Sequence, residues 1–248
     1  MRFDRIIAPT LLGATLWLGG PAEPAFGDPA AEYETCMALA RRAPGEALGR
    51  AEAWEAEGGG NPARHCAAIA LLHRQDYRAA AIRLDELAAE LEARDPPLTV
   101  DLLDQAGRAW LLAGEPAWAR AALDRAVALR PADAELYVAR SYAHAAMESY
   151  EAALADLARA DTLAPGRAEI PLLQAAAYRY EGRLEEALAA VERALALDGG
   201  NPRIRLERGN IRWLLDDREG AREDWRRTTV LAPDSAAATA ARNNLGRQ

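Results

Sequence analysis

The sequence predicts an all-α protein built as a solenoid of stacked helix pairs. A column of alanines carries the prediction: Ala119, Ala153, Ala187 and Ala221 follow one another at 34-residue steps. Other columns keep the same period. Counting each unit from Val100, Ala134, Ala168 and Pro202, position 8 is small (Gly107, Ser141, Ala175, Gly209) and position 24 is large and apolar (Leu123, Leu157, Val191, Trp225). A small residue facing a large one is what two closely approaching helices need. Position 30 is always leucine (Leu129, Leu163, Leu197, Leu231), and position 32 is a helix stop (Pro131, Pro165, Gly199, Pro233). Repeats of this length bury their apolar faces by stacking.

An earlier unit from Asn61 fits the same columns, with Ala68 at position 8, Tyr77 at 17, Ala80 at 20 and Leu84 at 24. The step from Ala80 to Ala119 is 39, so five residues are extra. The stretch from Glu92 to Thr99 contains Asp95-Pro96-Pro97, and proline pairs break helices. A longer inter-repeat loop is expected there.

A small residue at position 8, Ala at 20, a large apolar residue at 24 and Pro at 32 resemble the tetratricopeptide repeat (TPR) pattern, gapless from Val100 to Ser235. The resemblance implies a right-handed α-solenoid of TPR helix pairs. Five units are expected, at 61–99, 100–133, 134–167, 168–201 and 202–235. A degenerate helical pair at 28–60 precedes them, with helices over Glu32–Arg42 and Ala47–Glu57 and a turn at Gly58-Gly59-Gly60. A capping helix at 236–248 follows, started by Ser235.

Residues 1–27 read as a secretory signal peptide. Arg2 and Arg5 give a positive start. Ile6 to Leu18 is a 13-residue apolar core, short of the roughly 20 residues that span a membrane. Ala25-Phe26-Gly27 places small residues where cleavage would leave Asp28 first; an uncleaved anchor is the alternative. All 30 basic residues are arginine, which points to a GC-rich bacterial genome and, with the signal, to the periplasm.

Cys36 and Cys66 are the two cysteines, an even count suited to a disulfide in an oxidising compartment. Both lie on first helices of neighbouring units. The alternatives are a zinc site using His65, with His73 and His144 as the other histidines, and a redox thiol pair without a C-x-x-C motif. There is no G-x-S-x-G, H-E-x-x-H or P-loop, and no cofactor or catalytic residue is expected. A net charge of −8 argues against a general nucleic-acid or anionic-membrane role.

Position 7 of a unit faces position 23 across the pair. Two units carry Arg at 7, Arg140 and Arg208, and the same two carry Asp at 23, Asp156 and Asp224. The others have Ala67, Ala106 and Gln174 at 7, so the pattern predicts two intra-unit ion pairs.

The family resemblance also places a binding groove on the first helices, at positions 2, 5, 9, 12 and 13. Carried onto this chain, it comprises Asp101, Asp104, Arg108, Glu135, Tyr142, Glu169, Arg179, Tyr180, Arg203, Asn210 and Trp213. The groove is expected to be acidic toward its N-terminal half, and basic and aromatic toward its C-terminal half. The expected role is a non-enzymatic periplasmic adaptor binding a peptide or helical segment of a cell-envelope protein. It is expected to bind no nucleic acid and to have no stable membrane insertion after signal removal. A subunit or chaperone of an envelope assembly machine, for cytochrome maturation or secretion, is the alternative. A thiol-redox or metal-binding protein and a self-assembling array are the readings of other classes.

Overall fold

The computed structural model describes residues 26–246, which form thirteen helices. The first pair is α1 (Pro29–Arg42) and α2 (Pro44–Ala56). Five further pairs follow: α3 (Gly60–His73) with α4 (Tyr77–Leu91), α5 (Pro96–Leu112) with α6 (Pro116–Leu129), α7 (Ala134–Ala146) with α8 (Tyr150–Leu163), α9 (Glu169–Tyr180) with α10 (Leu184–Leu197), and α11 (Pro202–Leu214) with α12 (Arg218–Leu231). A last helix, α13 (Ala236–Gly246), packs on α12 and α11. Each helix packs mainly on its neighbours in sequence, the one-dimensional contact pattern of a solenoid. The secretory-signal reading concerns residues 1–25 almost entirely, and these lie outside the described residues.

One turn recurs in all five units. Position 15 is left-handed in each: Gln75 (φ 66°), Gly114 (φ 74°), Glu148 (φ 58°), Gly182 (φ 77°) and Asp216 (φ 66°). The amide of the next residue donates back to the carbonyl five positions earlier, at 2.9 Å every time: Asp76 to Leu71, Glu115 to Trp110, Ser149 to His144, Arg183 to Tyr178, Asp217 to Arg212. This Schellman closure ends the first helix and aims the second back along it. Three of the five residues are not glycine and carry the strain of a positive φ. The first pair lacks this turn, since Ala43 alone separates α1 from Pro44 at the start of α2.

The five extra residues do not lengthen a loop. Four residues, 92–95, join α4 to α5, the same number as the 130–133 connection between α6 and α7. The surplus enters the helices instead: α4 has 15 residues and α5 has 17, against 14 in α6 and 13 in α7. Pro96 and Pro97 occupy the first turn of α5, where no amide donor is needed and φ near −65° suits the helix. Asp95 caps that turn by accepting from the Leu98 amide at 3.1 Å.

The repeated columns form the core. Ala119, Ala153, Ala187 and Ala221 are buried, as are Leu123, Leu157, Val191 and Trp225 one turn further along the same helices. A full leucine burial contributes about 1.5–3 kcal/mol. Position 8 is small because its partner touches backbone: a Cβ on Gly107 would lie 2.6 Å from Leu123 Cγ, and one on Gly209 would lie 2.6 Å from Trp225 Nε1.

Both intra-unit ion pairs are present. Arg140 donates to Asp156 through two nitrogens, at 2.9 and 2.6 Å, and Arg208 to Asp224 at 2.9 and 2.7 Å. Arg140 also reaches Asp124 at 2.9 Å, and Asp224 also accepts from Arg212 at 2.9 Å. In the unit between them Gln174 takes position 7 and accepts from Arg193. The same locus is thus polar in three consecutive units, each with a satisfied partner.

Cys36 and Cys66 are joined by a disulfide, Cα–Cα 6.2 Å, and both are fully buried. The bridge ties α1 to α3, and with it the pair lacking the recurrent turn to the regular array. A loop of this length gives about 3.6 kcal/mol in the loop-entropy treatment.

Candidate groove on the first helices

First helices of successive pairs touch one another: α1 with α3, α5 with α7, α9 with α11. No two second helices make comparable contact among the described residues. The array therefore bends toward its first helices, and these form the inner wall.

The N-terminal stretch of that wall is acidic but already paired. Asp101 accepts from Arg130 at 3.1 Å, and Asp104 from Arg108 at 2.9 Å one turn along. Arg167 bridges Glu135 and, at 3.2 Å, Glu169. Tyr142 donates its hydroxyl to Glu169 at 3.3 Å, and Arg203 of the last unit faces the same phenol. Burial, then the Glu169 carboxylate, raises the Tyr142 pKa and keeps the phenol protonated as a donor. These residues form one ladder of alternating charge. Their donors and acceptors are held in fixed positions by these pairings.

Toward the C-terminus the predicted site residues divide. Arg179 donates to the buried Glu207 at 2.6 Å and lies 4.3 Å from the centre of the Tyr180 ring. Tyr180 stacks on Tyr150 at 5.4 Å and 8°, which fixes the ring while leaving the residue 61% exposed. Trp213 is covered by Arg218, 3.8 Å above its ring, and packs on Trp225 at 5.4 Å. Asn210 accepts from Trp225 Nε1 at 3.2 Å and from Asn244 of α13 at 2.9 Å. Asn210 and Trp213 thus anchor the capping helix and the last core, and Tyr142 and Tyr180 present ring surface.

Two residues of the wall escaped the sequence reading. Leu112 is 61% exposed and Leu214 is 52% exposed. Both occupy position 13, as Tyr180 does, and together they make an apolar row along the ends of the first helices. The position was in view; leucine was passed over for aromatic and arginine side chains. A hollow of about 350 Å³ lies between α9, α11 and α13. Leu172, Leu173, Ala176 and Leu206 line it together with Arg203 and Glu207.

The residues of the redox and metal readings are engaged in structure. Both thiols are in the disulfide. His65 Nε2 donates to Gln105 at 2.9 Å and Nδ1 accepts from the Tyr33 hydroxyl at 2.7 Å, so one imidazole links α1, α3 and α5. Burial lowers the His65 pKa and holds the ring neutral.

The family model described as tetratricopeptide repeat matches residues 134–167. Solved structures share the fold over most of their length. MamA from Desulfovibrio magneticus RS-1 is 24% identical, with 70% of this chain and 95% of that one covered, at a TM-score of 0.60. TTC0263, a TPR protein of Thermus thermophilus, is 22% identical over 71% of this chain and 96% of that one, at 0.57. YrrB, described as a TPR protein with an unusual peptide-binding site, is 20% identical over 77% and 96%, at 0.55. No curated protein matches the sequence. The chain thus has the fold of tetratricopeptide-repeat proteins, and residues 134–167 match that repeat in sequence as well.

Proposed function

We propose that this chain is a non-enzymatic, exported adaptor that holds an extended or helical segment of an envelope protein against its first helices. The observation that carries the reading is the row Leu112, Tyr180 and Leu214, with Tyr142 beside it. The first three are large apolar side chains exposed at the same position of their units, and Tyr142 is exposed four positions earlier in its own. The apolar hollow between α9, α11 and α13 supplies a place for one partner side chain. The fold neighbour described as having a peptide-binding site supports the same use of the architecture.

Export to the periplasm is supported by the charged and apolar pattern of residues 1–27, with cleavage before Asp28, and by the buried disulfide. Among the described residues no helix is long and apolar enough to cross a membrane. N-terminal sequencing of the chain recovered from a bacterial periplasm tests this; a full-length chain retained in the membrane would refute it.

The binding claim is tested by affinity capture from an envelope extract with wild type and Tyr180→Ala/Leu214→Ser. Loss of at least about 2 kcal/mol, roughly thirtyfold in affinity, is expected for the captured partner. Equal capture by a correctly folded variant would refute the assignment of this wall.

A further inference from the structure

The outer flank of the last unit carries more positive charge than its own carboxylates use. Residues 202–235 hold eight arginines against seven acidic residues, in a chain of net charge −8. Much of this positive charge converges between α11 and α12, around a hollow of about 440 Å³ lined by Arg205, Arg208, Glu223, Asp224, Arg226 and Arg227. Four guanidinium groups thus face two carboxylates.

One carboxylate is already saturated. Asp224 is 2% exposed and takes Arg208 at 2.7 Å and Arg212 at 2.9 Å, with Arg205 at 3.9 Å. Arg208 is held from its other side by Glu192 of α10 at 3.0 Å. Arg226 and Arg227 are exposed and have no ion-pair partner among the described residues. Arg205 donates to the Gly199 carbonyl at 3.1 Å, but its Nε–H is buried without an acceptor among the described residues. Two exposed arginines without an ion-pair partner, at the mouth of a hollow whose buried carboxylate is already taken, leave positive charge for an anion to neutralise.

We propose that this hollow binds a phosphate-type oxyanion. The two surplus charges match a dianion, and the planar forks of arginine suit a tetrahedral oxyanion with several acceptor oxygens. Asp224 serves as the floor that aims Arg205 and Arg208 and does not itself meet the ligand. The site lies between the helices of one pair and shares no residue with the apolar row. It goes beyond the adaptor reading and stands or falls apart from it. A soluble phosphate group and a lipid headgroup share this chemistry.

The test is calorimetric titration of the full chain with inorganic phosphate, at ionic strength held constant with chloride. Variants are Arg226→Ala/Arg227→Ala, both exposed so that the fold is retained, and Arg42→Ala/Arg159→Ala as a surface control. In a parallel arm the proteins are sedimented with phosphatidic acid vesicles and with neutral phosphatidylcholine vesicles. Saturable phosphate binding, weakened at least about tenfold in the first variant and unchanged in the second, is expected. Phosphate binding without vesicle binding assigns a soluble group. Binding to the acidic and not the neutral vesicles, lost in the first variant and competed by phosphate, assigns a headgroup. Absence of binding in both arms, or binding equal in the two variants, would overturn the proposal.

Discussion

Replacing Asp224 with asparagine should destabilise the last unit far more than replacing its arginine partner. Asp224 is buried and accepts three charge-assisted hydrogen bonds, two from Arg208 and one from Arg212. Stranding one side of a buried pair costs about 3–5 kcal/mol. Asp224→Asn strands the positive side, placing an amide donor among guanidinium donors, so about 3–5 kcal/mol is expected. Arg208→Met leaves Asp224 with Arg212 and Arg205, and about 1–2 kcal/mol is expected. The order reverses two units back. Arg140 serves both Asp124 and Asp156, so Arg140→Met should cost at least as much as Asp156→Asn. Urea unfolding followed by circular dichroism at a common m-value measures all four. Equal costs for Asp224→Asn and Arg208→Met, or costs under about 0.5 kcal/mol for both, would refute the reasoning.

Other consequences follow from single contacts. His65 and His144 both have pKa values lowered chiefly by burial, so below about pH 6.5 the unfolded chain takes up protons first and stability falls. His65→Gln should shrink the drop in thermal midpoint between pH 7.5 and 5.5; an unchanged drop would contradict this account. Cys36→Ser/Cys66→Ser should cost about 2–4 kcal/mol, with hydrogen exchange of α1 and α2 rising first; uniform exchange along the array would argue against it. Gly209→Ala drives a methyl onto the Trp225 indole, at about 1–3 kcal/mol against about 1 kcal/mol of helix propensity gained. In a Trp225→Val background, which copies the Ala175–Val191 combination of the preceding unit, the same substitution should raise the thermal midpoint.

The period was legible because stacking imposes it on every unit: Ala119 and its equivalents touch the same neighbours each time. The Arg140–Asp156 and Arg208–Asp224 pairs were legible for a related reason, since residues that face each other across a pair change together. The position-15 turn was visible only as a place, because Gln75, Glu148 and Asp216 adopt a conformation their residue types do not advertise. Pro96-Pro97 misled because proline breaks a helix interior and starts a helix equally well. The difference lay in Asp95, which caps the turn. Within the groove, residue type was a poor guide to availability. Arg179, Asn210 and Trp213 have the chemistry of anchors, but Glu207, Asn244 and Arg218 occupy them. Leu112 and Leu214 have plainer chemistry and stand free, a difference set by neighbours several turns away.

The claim that the first helices are the working surface is tested most directly by site-specific photo-crosslinking in an envelope extract. A photoreactive residue placed at Leu112, Tyr180 or Leu214 is compared with one at Ala128, Ala196 or Val230, exposed positions on the second helices. The account predicts one discrete crosslinked product from the first set and none from the second. Crosslinks that arise only from Ala128, Ala196 or Val230 would contradict it and move the partner to the outer face.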